Sequence, residues 1–471
     1  MHSLLNVIQG STQLIRQVRC FLLKLTIAFS MIALAVIINS LVIGQAEAAS
    51  VYCVRSGATG ANNGSDWNNA FTDLPSAMTR GDIYYVADGT YSGRTFNTST
   101  SGTTVITIKK AIISDHGTST GWLDSYGDGQ AEFGMLNFTT GYWLFDGVTG
   151  GGPKSWTSGL GFRITTTDHT KYNSFITLGA NASNITVTHV DIGRDTQPNP
   201  GCDCAIYSPS GADNITLSYS YVHHFGDVGF TILNSSGWVM EYNRFDRIDR
   251  NGPKDGICGT LGQENHGSGI ELYDTEGFVI RYNNISNIEG TGWIGYYGSA
   301  ALNNVSIYGN VFYNTTDYTG TWGNGVIYNT SGAGNITNLK VYNNTFANLN
   351  SAMIIGITHD TSGNEFKNNI IYKGVTPGYS GCFKDYNASD NPVNGDANLQ
   401  ILTSNIFSNL TNNDFRLAQR TKGGDSTIGA DFSKDAFGFV RGTSGVWNRG
   451  AYEYTGEYTK IPSPPLAVHF Q

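Results

Sequence analysis

The chain has 471 residues, of which only 14% are charged, and its formal net charge at pH 7 is −9. This negative balance argues against nucleic acid as the main partner, because nucleic-acid-binding surfaces are basic. The 59 glycines and 26 tyrosines, in a background rich in Asn, Ser and Thr, are typical of a secreted β-protein rather than a helical enzyme.

Residues 1–48 have the pattern of a secretory signal. Arg16, Arg19 and Lys24 accompany an apolar run from Leu25 to Ile43, and Ala46-Glu47-Ala48 offers small residues at a cleavage point. A retained membrane anchor is the alternative, because the run is near the lower limit for a span. We expect cleavage, since the small-residue motif follows directly, and hence a secreted or cell-surface protein with no membrane association afterwards.

The mature chain begins with a predicted cap. Asp66 is a good N-cap residue, and apolar residues recur after it at helical spacing. We therefore expect a short amphipathic helix that covers the open end of the following structure and protects its backbone edge. The apolar residues of this helix are Trp67, Ala70, Phe71, Leu74, Ala77 and Met78.

The centre of the chain, about residues 175–372, repeats one pattern: a short alternating strand, an Asn-rich turn and a second apolar residue or pair. Its anchors recur roughly every 24–40 residues, a period that indicates a solenoid. Within each copy, side chains alternate between core and surface. We expect the Asn pairs at the turns to tolerate left-handed backbone and to bond to neighbouring coils. The anchors are Ile185, Ile215, Val239, Val279, Val305, Leu339 and Phe366.

After residue 404 the repeat pattern changes. Asp414-Phe-Arg-Leu and Gly450-Ala-Tyr-Glu-Tyr suggest short strands that close the solenoid, and the prolines after Tyr454 indicate a loose tail. The predicted organisation is a signal (1–48), a β-solenoid (49–404), a closing segment (405–455) and a tail (456–471).

The chain resembles the right-handed parallel β-helix proteins of the pectate-lyase-like superfamily. The resemblance is carried by the Trp67 cap, by the stretch Gly81-Asp-Ile-Tyr-Tyr-Val-Ala-Asp-Gly-Thr-Tyr, by the Asn-rich coils and by the closing Asn448-Arg-Gly-Ala-Tyr-Glu-Tyr. It implies an all-β right-handed parallel β-helix with a short N-terminal capping helix. The superfamily includes lyases, hydrolases, epimerases and adhesins, so the fold alone does not choose the reaction.

Charged residues are scarce, and they cluster between Glu241 and Glu276, with His223, His224 and Asp227 just upstream. Coils stack in register, so these groups are expected to form one patch. The long interval between two anchors also predicts a large loop, about Arg250 to His266, and long loops on a rigid scaffold often carry function. A solvated face with ordinary ion pairs is the alternative interpretation.

The resemblance implies cleavage of a uronic-acid polymer by β-elimination, with a cation that neutralises the substrate carboxylate and a base that removes the adjacent proton. Lys254 is the candidate base, Arg250 its rival, and His266 a candidate acid. Arginine forks suit carboxylates, so Arg244 and Arg247, together with His223 and His224, are candidates for substrate binding. The candidate ligands for Ca²⁺, the expected cofactor, are Asp246, Asp249, Asp255 and Glu271.

Two other functions remain open. A glycoside hydrolase needs an acid and a base carboxylate, which Asp227, Asp246, Asp249 and Asp255 offer, although the adjacent Asp-Asp pair usual in galacturonan hydrolases of this fold is missing. The second open function is that of a non-catalytic surface protein that binds carbohydrate, since a row of tyrosines is available to stack on sugars. The same row would also stabilise a solenoid without a ligand. The row comprises Tyr219, Tyr221, Tyr242, Tyr282, Tyr308 and Tyr342.

Three further expectations complete the sequence reading. We expect the partner to be an acidic, uronate-containing polysaccharide and the protein to act as a monomer. Removal of Cys20 with the signal leaves an odd number of cysteines, so at least one is unpaired within the chain. Cys53 and Cys382 are far apart along a solenoid and are not expected to pair.

The segment Asp124-Ser-Tyr-Gly-Asp-Gly begins like a calcium loop but lacks its final Glu, so a turn is expected there.

Overall fold

The computed structural model describes residues 49–166, 174–194, 204–248, 267–290, 292–318, 325–330, 332–349, 353–357, 363–374 and 378–456, together with Arg19 and Thr26. No helix in this part of the chain is long and apolar enough to cross a membrane. The predicted signal (1–48), apart from those two residues, and the predicted tail from residue 457 onward lie outside it.

Three parallel sheets, named A, B and C, make up the fold of residues 50–456. Each coil of the chain contributes one strand to sheet A, then one to sheet B, then one to sheet C, and each strand pairs with its equivalents one coil before and after. This succession is a parallel β-helix, as predicted, with the core enclosed by the three sheets.

The strands described in sheet A are β1 Val51–Val54, β2 Ile83–Val86, β5 Ile106–Lys110, β8 Trp143–Asp146, β11 Ile185–Thr188, β14 Ile215–Ser218, β17 Val239–Glu241, β20 Val279–Arg281, β24 Ser306–Tyr308, β28 Lys340–Tyr342, β31 Glu365–Lys367 and β34 Phe383–Asp385. Those in sheet B are β3 Gly89–Tyr91, β6 Ala131–Phe133, β9 Phe162–Ile164, β12 Val190–Gly193, β15 Tyr221–Phe225, β18 Arg244–Ile248, β21 Asn284–Ile288, β25 Val311–Tyr313, β29 Thr345–Ala347, β32 Ile370–Tyr372, β35 Ala388–Ser389 and β36 Gln400–Ile401.

Sheet C contains β4 Arg94–Phe96, β7 Leu136–Phe138, β10 Ser174–Leu178, β13 Cys204–Ser208, β16 Val228–Leu233, β19 Ser268–Tyr273, β22 Gly292–Tyr296, β26 Gly325–Asn329, β30 Met353–Gly356 and β33 Gly378–Ser380. Outside the three sheets, β23 Leu302–Asn303 pairs with β27 Ile336–Thr337, and β37 Phe407–Asn409 pairs antiparallel with β38 Asp414–Leu417. Short 3-10 turns occupy Asp124–Tyr126, Leu410–Asn412 and Ala430–Phe432.

The predicted cap helix is not helical. Residues 61–82 form bends and turns, with one isolated parallel bridge between Val54 and Phe71. Asp66 does cap the backbone, since its Oδ1 accepts the N–H groups of Asn68 and Asn69 at 2.9 Å each. The sequence that follows is rich in Asn, Thr and Asp and contains Pro75, and such residues favour turns over a helix interior. Trp67, Ala70, Leu74 and Met78 are still buried, so the segment covers the first coil without being a helix. Phe71 is partly buried and Ala77 is exposed.

A ladder of buried asparagines runs along the corner between sheets A and B. In each coil the side-chain Oδ1 accepts the backbone N–H and the Nδ2–H of the asparagine one coil earlier, at 2.9–3.1 Å, and its own Nδ2 also donates to a strand carbonyl. The residue before each ladder position has left-handed backbone, for example Tyr282 and Asn343. The ladder comprises Asn243, Asn283, Asn310, Asn344, Asn369 and Asn387, all at most 1% exposed. The predicted coil-to-coil bonding of turn asparagines is thus observed.

The row of tyrosines at the same corner is buried. Tyr219, Tyr242 and Tyr282 stack at 4.9 and 5.2 Å, and Tyr308 and Tyr342 continue the row. The closing segment folds back over this row: the ring of Phe432 lies 4.8 Å from that of Tyr308 and 4.9 Å from that of Tyr342. These five tyrosines are 2–6% exposed, so the interpretation that they stack on sugars is wrong and the structural one holds. Tyr221 belongs to a different row, on sheet B.

Two cysteines are unpaired, as expected. Cys53 and Cys382 are free thiols. Burial, with a smaller contribution from Asp66, raises the pKa of the Cys53 thiol to about 12, so this thiol is unreactive at neutral pH. Cys202 and Cys258 lie outside the described residues.

The apparent calcium loop is a turn, as predicted. Asp124 opens a 3-10 turn and accepts a hydrogen bond from Nε1 of Trp122 at 3.0 Å.

Replacement of Asn310 by Ala tests the ladder. It removes the acceptor for two N–H groups of Asn283 and the donor to Ile280 O, all in the buried interior. Since each buried group left unpaired costs about 1–3 kcal/mol, the free energy of unfolding is expected to fall by at least about 3 kcal/mol. Urea titration measures it. Asn97→Ala, at an exposed position, is the control and should change it by no more than about 0.5 kcal/mol; equal losses in both variants would contradict the ladder's role.

Replacement of Phe432 by Ala tests the contact between the closing segment and the tyrosine row. Removal of a buried phenyl ring leaves a cavity, and a loss of about 3–5 kcal/mol in unfolding free energy is expected. Phe383→Ala is the matched control, because Phe383 is 58% exposed. If Phe432→Ala is as mild as Phe383→Ala, the closing segment does not pack on the row in solution.

Candidate functional site

The outward side chains of sheet B form two rows across the central coils. The first row contains Asp191, Tyr221, Arg244 and Asn284, and the second contains Gly193, His223, Asp246 and Ser286. Strand alternation places Arg244 and Asp246 outside and Phe245 in the core, as predicted. Register therefore gathers charges that are more than fifty residues apart in sequence, and Asp191, His223, His224, Arg244, Asp246 and Arg247 are called the charged cluster below.

Arg244 is the most enclosed member of the charged cluster, only 7% exposed. Its Nη1 donates to Asn284 Oδ1 at 2.6 Å, its Nη2 donates to Ser286 Oγ at 2.7 Å, and Nη2 lies 3.3 Å from Asp246 Oδ1. Burial opposes its charge, but Asp246, with Tyr313 and Tyr221, raises the pKa of Arg244 above its usual value. All these contacts are internal, so Arg244 holds Asp246 in place from within the sheet.

The hydrogen bonds described for Asp246 all reach one of its two carboxylate oxygens. Its Oδ1 accepts from Ser286 Oγ at 2.6 Å and from Asn287 Nδ2 at 2.8 Å, in addition to the contact with Arg244. Within the described residues, no hydrogen bond reaches Oδ2 of Asp246. The carboxylate is thus oriented by its own sheet, with one oxygen left for other contacts.

His223 and His224 are held next to each other. Nε2 of His223 lies 2.7 Å from Asp191 Oδ1, the ring of Tyr221 stacks on the His223 ring at 4.0 Å, and the Nδ1 atoms of the two histidines contact each other. Burial, then the neighbouring His223, lowers the pKa of His224 to about 4. His224 is therefore a neutral imidazole at ordinary pH, able to accept a proton.

Arg247 lies beside His224 on the next coil and is the more accessible arginine. Its Nη2 donates to Asp317 Oδ2 at 2.9 Å, and 27% of its side chain is exposed. Both His224 and Arg247 have left-handed backbone, with φ of 64° and 54°. Such a conformation is uncommon for residues other than glycine. Each residue lies near the end of its sheet B strand, just before the chain turns into sheet C.

Glu271 lies on a different sheet from Asp246. It belongs to the outward row of sheet C, is 3% exposed, and accepts a hydrogen bond from the Tyr273 hydroxyl at 3.2 Å. Apart from the buried Gly295, the other members of this row are exposed or partly exposed, and they carry hydroxyl or amide groups. In coil order the row contains Thr95, Asn137, Thr177, Tyr207, Thr231, Glu271 and Tyr328, with Gly295 between the last two. It is called the sheet C row below.

Five of the sequence candidates, Lys254, Arg250, His266, Asp249 and Asp255, lie outside the described residues. Among the residues that the structure does describe, no three His, Cys, Asp or Glu side chains come together as a metal site. Asp246 and Glu271, the described members of the calcium set, are on separate sheets, so these two residues alone do not fit Ca²⁺. Calcium binding, which would need Asp249 or Asp255, stays a prediction.

Sequence reasoning missed Asp191 and Asp317. Asp191 stands in Val190-Asp-Ile, whose alternation places its side chain outside, and alignment of the repeats would have set it beside Tyr221. Asp317 lies after a strand, with no repeat equivalent to mark it, and the pairing with Arg247 depends on the fold.

The match to a family model supports the fold. A family model described as "Right handed beta helix region" matches residues 164–346. A search of curated proteins gave no significant match. The chain is similar to the crystal structure of pectate lyase Pel9A, with 14% identity and a TM-score of 0.49, over 86% of this chain and 98% of that one.

Two more solved structures are similar to the chain. One is a variant of the PL6 family alginate lyase AlyGC, with 12% identity and a TM-score of 0.39, over 84% of this chain and 57% of that one. The other is the GH136 lacto-N-biosidase from Eubacterium ramulus, with 12% identity and a TM-score of 0.38, over 75% and 68% of the chains. At these values the likeness does not assign a reaction, and the right-handed parallel β-helix rests on the sheet topology and the family model.

The low pKa of His224 predicts a pH dependence of stability. The ordinary value is 6.5 and the folded value about 4, so on acidification the unfolded chain binds this proton first. The contribution of His224 to stability is therefore complete above pH 6.5 and lost as the pH falls through 4. His224→Gln should flatten this part of the curve of unfolding free energy against pH. His189→Gln is the control, since His189 has left-handed backbone as His224 does but lies at another corner, where its ring contacts Asp146 at 3.1 Å. A flattening in both variants would contradict the assignment to His224.

Proposed function

We propose that this right-handed parallel β-helix is a secreted polysaccharide lyase that cleaves a uronic-acid polymer by β-elimination. The observation that carries the proposal is a neutral imidazole, His224, next to a partly exposed guanidinium, Arg247, on adjacent coils. β-Elimination needs this pair of properties: a base that is unprotonated at the working pH and a cation that makes the proton next to a carboxylate acidic.

The polymer lies along the sheet C row. Coils are spaced by about 4.8 Å, as neighbouring strands are, which is close to the length of one sugar unit. The row offers hydroxyl and amide groups at Thr95, Asn137, Thr177 and Thr231, and tyrosine rings at Tyr207 and Tyr328, which suit sugar hydroxyls and sugar faces respectively. The reacting sugar lies near the corner with sheet B, where His224 and Arg247 lie close to the ends of their strands.

In the proposed reaction Arg247 pairs with the uronate carboxylate and stabilises the negative charge that develops there. His224 removes the proton from the carbon that bears this carboxylate. The bond from the neighbouring carbon to the bridging oxygen breaks, a carbon–carbon double bond forms, and the oxygen leaves after it takes up a proton from a donor or water. Lys254 remains the base predicted from the sequence, and the two assignments differ in pH dependence. Nothing in this scheme depends on calcium.

A turnover screen of the full-length protein tests the proposal. Pectate, alginate, glycosaminoglycans and neutral glycans are incubated with Ca²⁺ or chelator, while ultraviolet absorbance and new reducing ends are followed. A lyase gives both signals, because the new double bond absorbs. Reducing ends alone would replace the proposal with a hydrolase, and binding without either signal would replace it with a carbohydrate-binding surface protein.

Variants then test the roles. His224→Gln is expected to lower kcat by about 10²–10⁴-fold, the usual contribution of a general base, and Arg247→Ala to lower kcat/KM by about tenfold to a hundredfold, since charge-assisted contacts contribute about 1.5–3 kcal/mol. His189→Gln and Arg416→Ala are the controls; Arg416 pairs with Asp414 on the closing segment. A base with a pKa of about 4 keeps kcat/KM high down to that pH. Activity that rises only in alkaline solution, and is lost in Lys254→Ala but kept in His224→Gln, would give the base role to Lys254.

A further inference from the structure

Asp191 lies one coil before His223, and the two side chains meet because the residue that pairs with His223 lacks a side chain. Gly193 is the residue that pairs with His223, and it has no side chain. A Cβ at this glycine would come within 2.4 Å of the backbone carbonyl oxygen of His223 and within 2.7 Å of both Nε2 and Cδ2 of its ring. The imidazole therefore occupies the space that a side chain at 193 would fill, and from there Nε2 contacts Asp191 Oδ1 at 2.7 Å.

The second step in the chain of contacts depends on the backbone of His224. Consecutive residues of a strand point to opposite faces, so neighbouring histidines do not normally touch. The left-handed conformation of His224, with φ of 64°, breaks the alternation and brings its Nδ1 against Nδ1 of His223. The ring of Tyr221 stacks on the face of the His223 ring, with 4.0 Å between the ring centroids.

The partners decide which nitrogens carry protons. A carboxylate only accepts hydrogen bonds, so Nε2 of His223 carries a proton toward Asp191. A neutral His223 then has its lone pair on Nδ1, and the contact between the two Nδ1 atoms requires the proton to be on Nδ1 of His224. The lone pair of His224 is consequently on Nε2. In the part of the chain that the structure describes, Asp246 and Arg247 on the next coil are further ionisable groups around this chain of contacts.

We propose that Asp191 is a positioning residue that acts through His223 to fix His224 in the tautomer with its proton on Nδ1 and its lone pair on Nε2, and that Gly193 provides the room for this relay. The inference rests on the proposed function in giving His224 the role of base. The tautomer itself is a property of the protein alone, so it is measurable whether or not the protein cleaves a polymer.

The experiment measures the ring ¹⁵N chemical shifts of His224 by long-range ¹H–¹⁵N correlation, in full-length protein labelled only at histidine and at a pH well above the pKa of His224. His224→Gln identifies its signals. The expected wild-type pattern is a protonated Nδ1 and an unprotonated Nε2. In Asp191→Ala, and independently in Gly193→Ala, the signals should move toward the tautomer with the proton on Nε2, which is preferred by free histidine.

Matched controls separate the relay from general damage to the fold. Asp146→Asn alters the other carboxylate–histidine pair, at His189, and Gly179→Ala adds a methyl group where the nearest atom is 3.4 Å away. Neither should move the His224 signals. Thermal unfolding shows which variants are folded, and if Asp191→Ala is not, Gly193→Ala and Asp191→Asn carry the test.

Unchanged His224 signals in folded Asp191→Ala and Gly193→Ala would overturn the relay. If a polymer is cleaved, the same two variants should lower kcat at least tenfold with KM within about twofold, because loss of an interaction made only in the transition state lowers kcat and leaves KM nearly unchanged. A rise in KM alone would also contradict a positioning role. If nothing is cleaved while the tautomer depends on Asp191, the proposed function fails and the relay stands.

Discussion

The fold depends on hydrogen bonds that pair the buried amide groups of each coil with those of the next. A solenoid corner turns the backbone sharply beside a buried core, and any N–H left without a partner there destabilises the fold. The ladder from Asn243 to Asn387 meets this requirement, because each side chain pairs with the backbone of the coil before it. A shift of one residue in any coil would break several bonds at once, so the ladder also fixes the register of the sheets.

The register determines which side chains meet on the outer surface. Asp191, Tyr221 and Arg244 share one row only because their strands pair in this alignment, and His223 comes beside Asp246 for the same reason. Left-handed residues then bend the ends of the sheet B strands and turn His224 and Arg247 away from simple alternation. The charged cluster is thus a consequence of regular stacking together with local departures from it.

The closing segment divides the surface into a covered and an open part. It packs on the tyrosine row and carries its own buried polar groups, among them Asp435, Arg441 and Glu453. Backbone N–H groups of Phe437, Phe439 and Glu453 bond to Asp435, but burial is the larger effect and raises the pKa of this carboxyl to about 6. Since one corner is covered in this way, the sheet C row and the adjoining end of sheet B offer the exposed polar surface on which the proposed function relies.

The sequence by itself determined the solenoid, the alternation of Arg244, Phe245 and Asp246, and the role of the turn asparagines, because these follow from local periodicity and residue type. It misjudged the segment after Asp66, where the helical spacing of apolar residues outweighed the turn-forming Asn, Thr and Pro75. Only the tertiary structure decided that the tyrosines are buried, that Glu271 is on another sheet from Asp246, and that Asp191 reaches His223. Those facts depend on the pairing of distant strands and on the path of the closing segment, and no local pattern encodes contacts between residues so far apart in the chain.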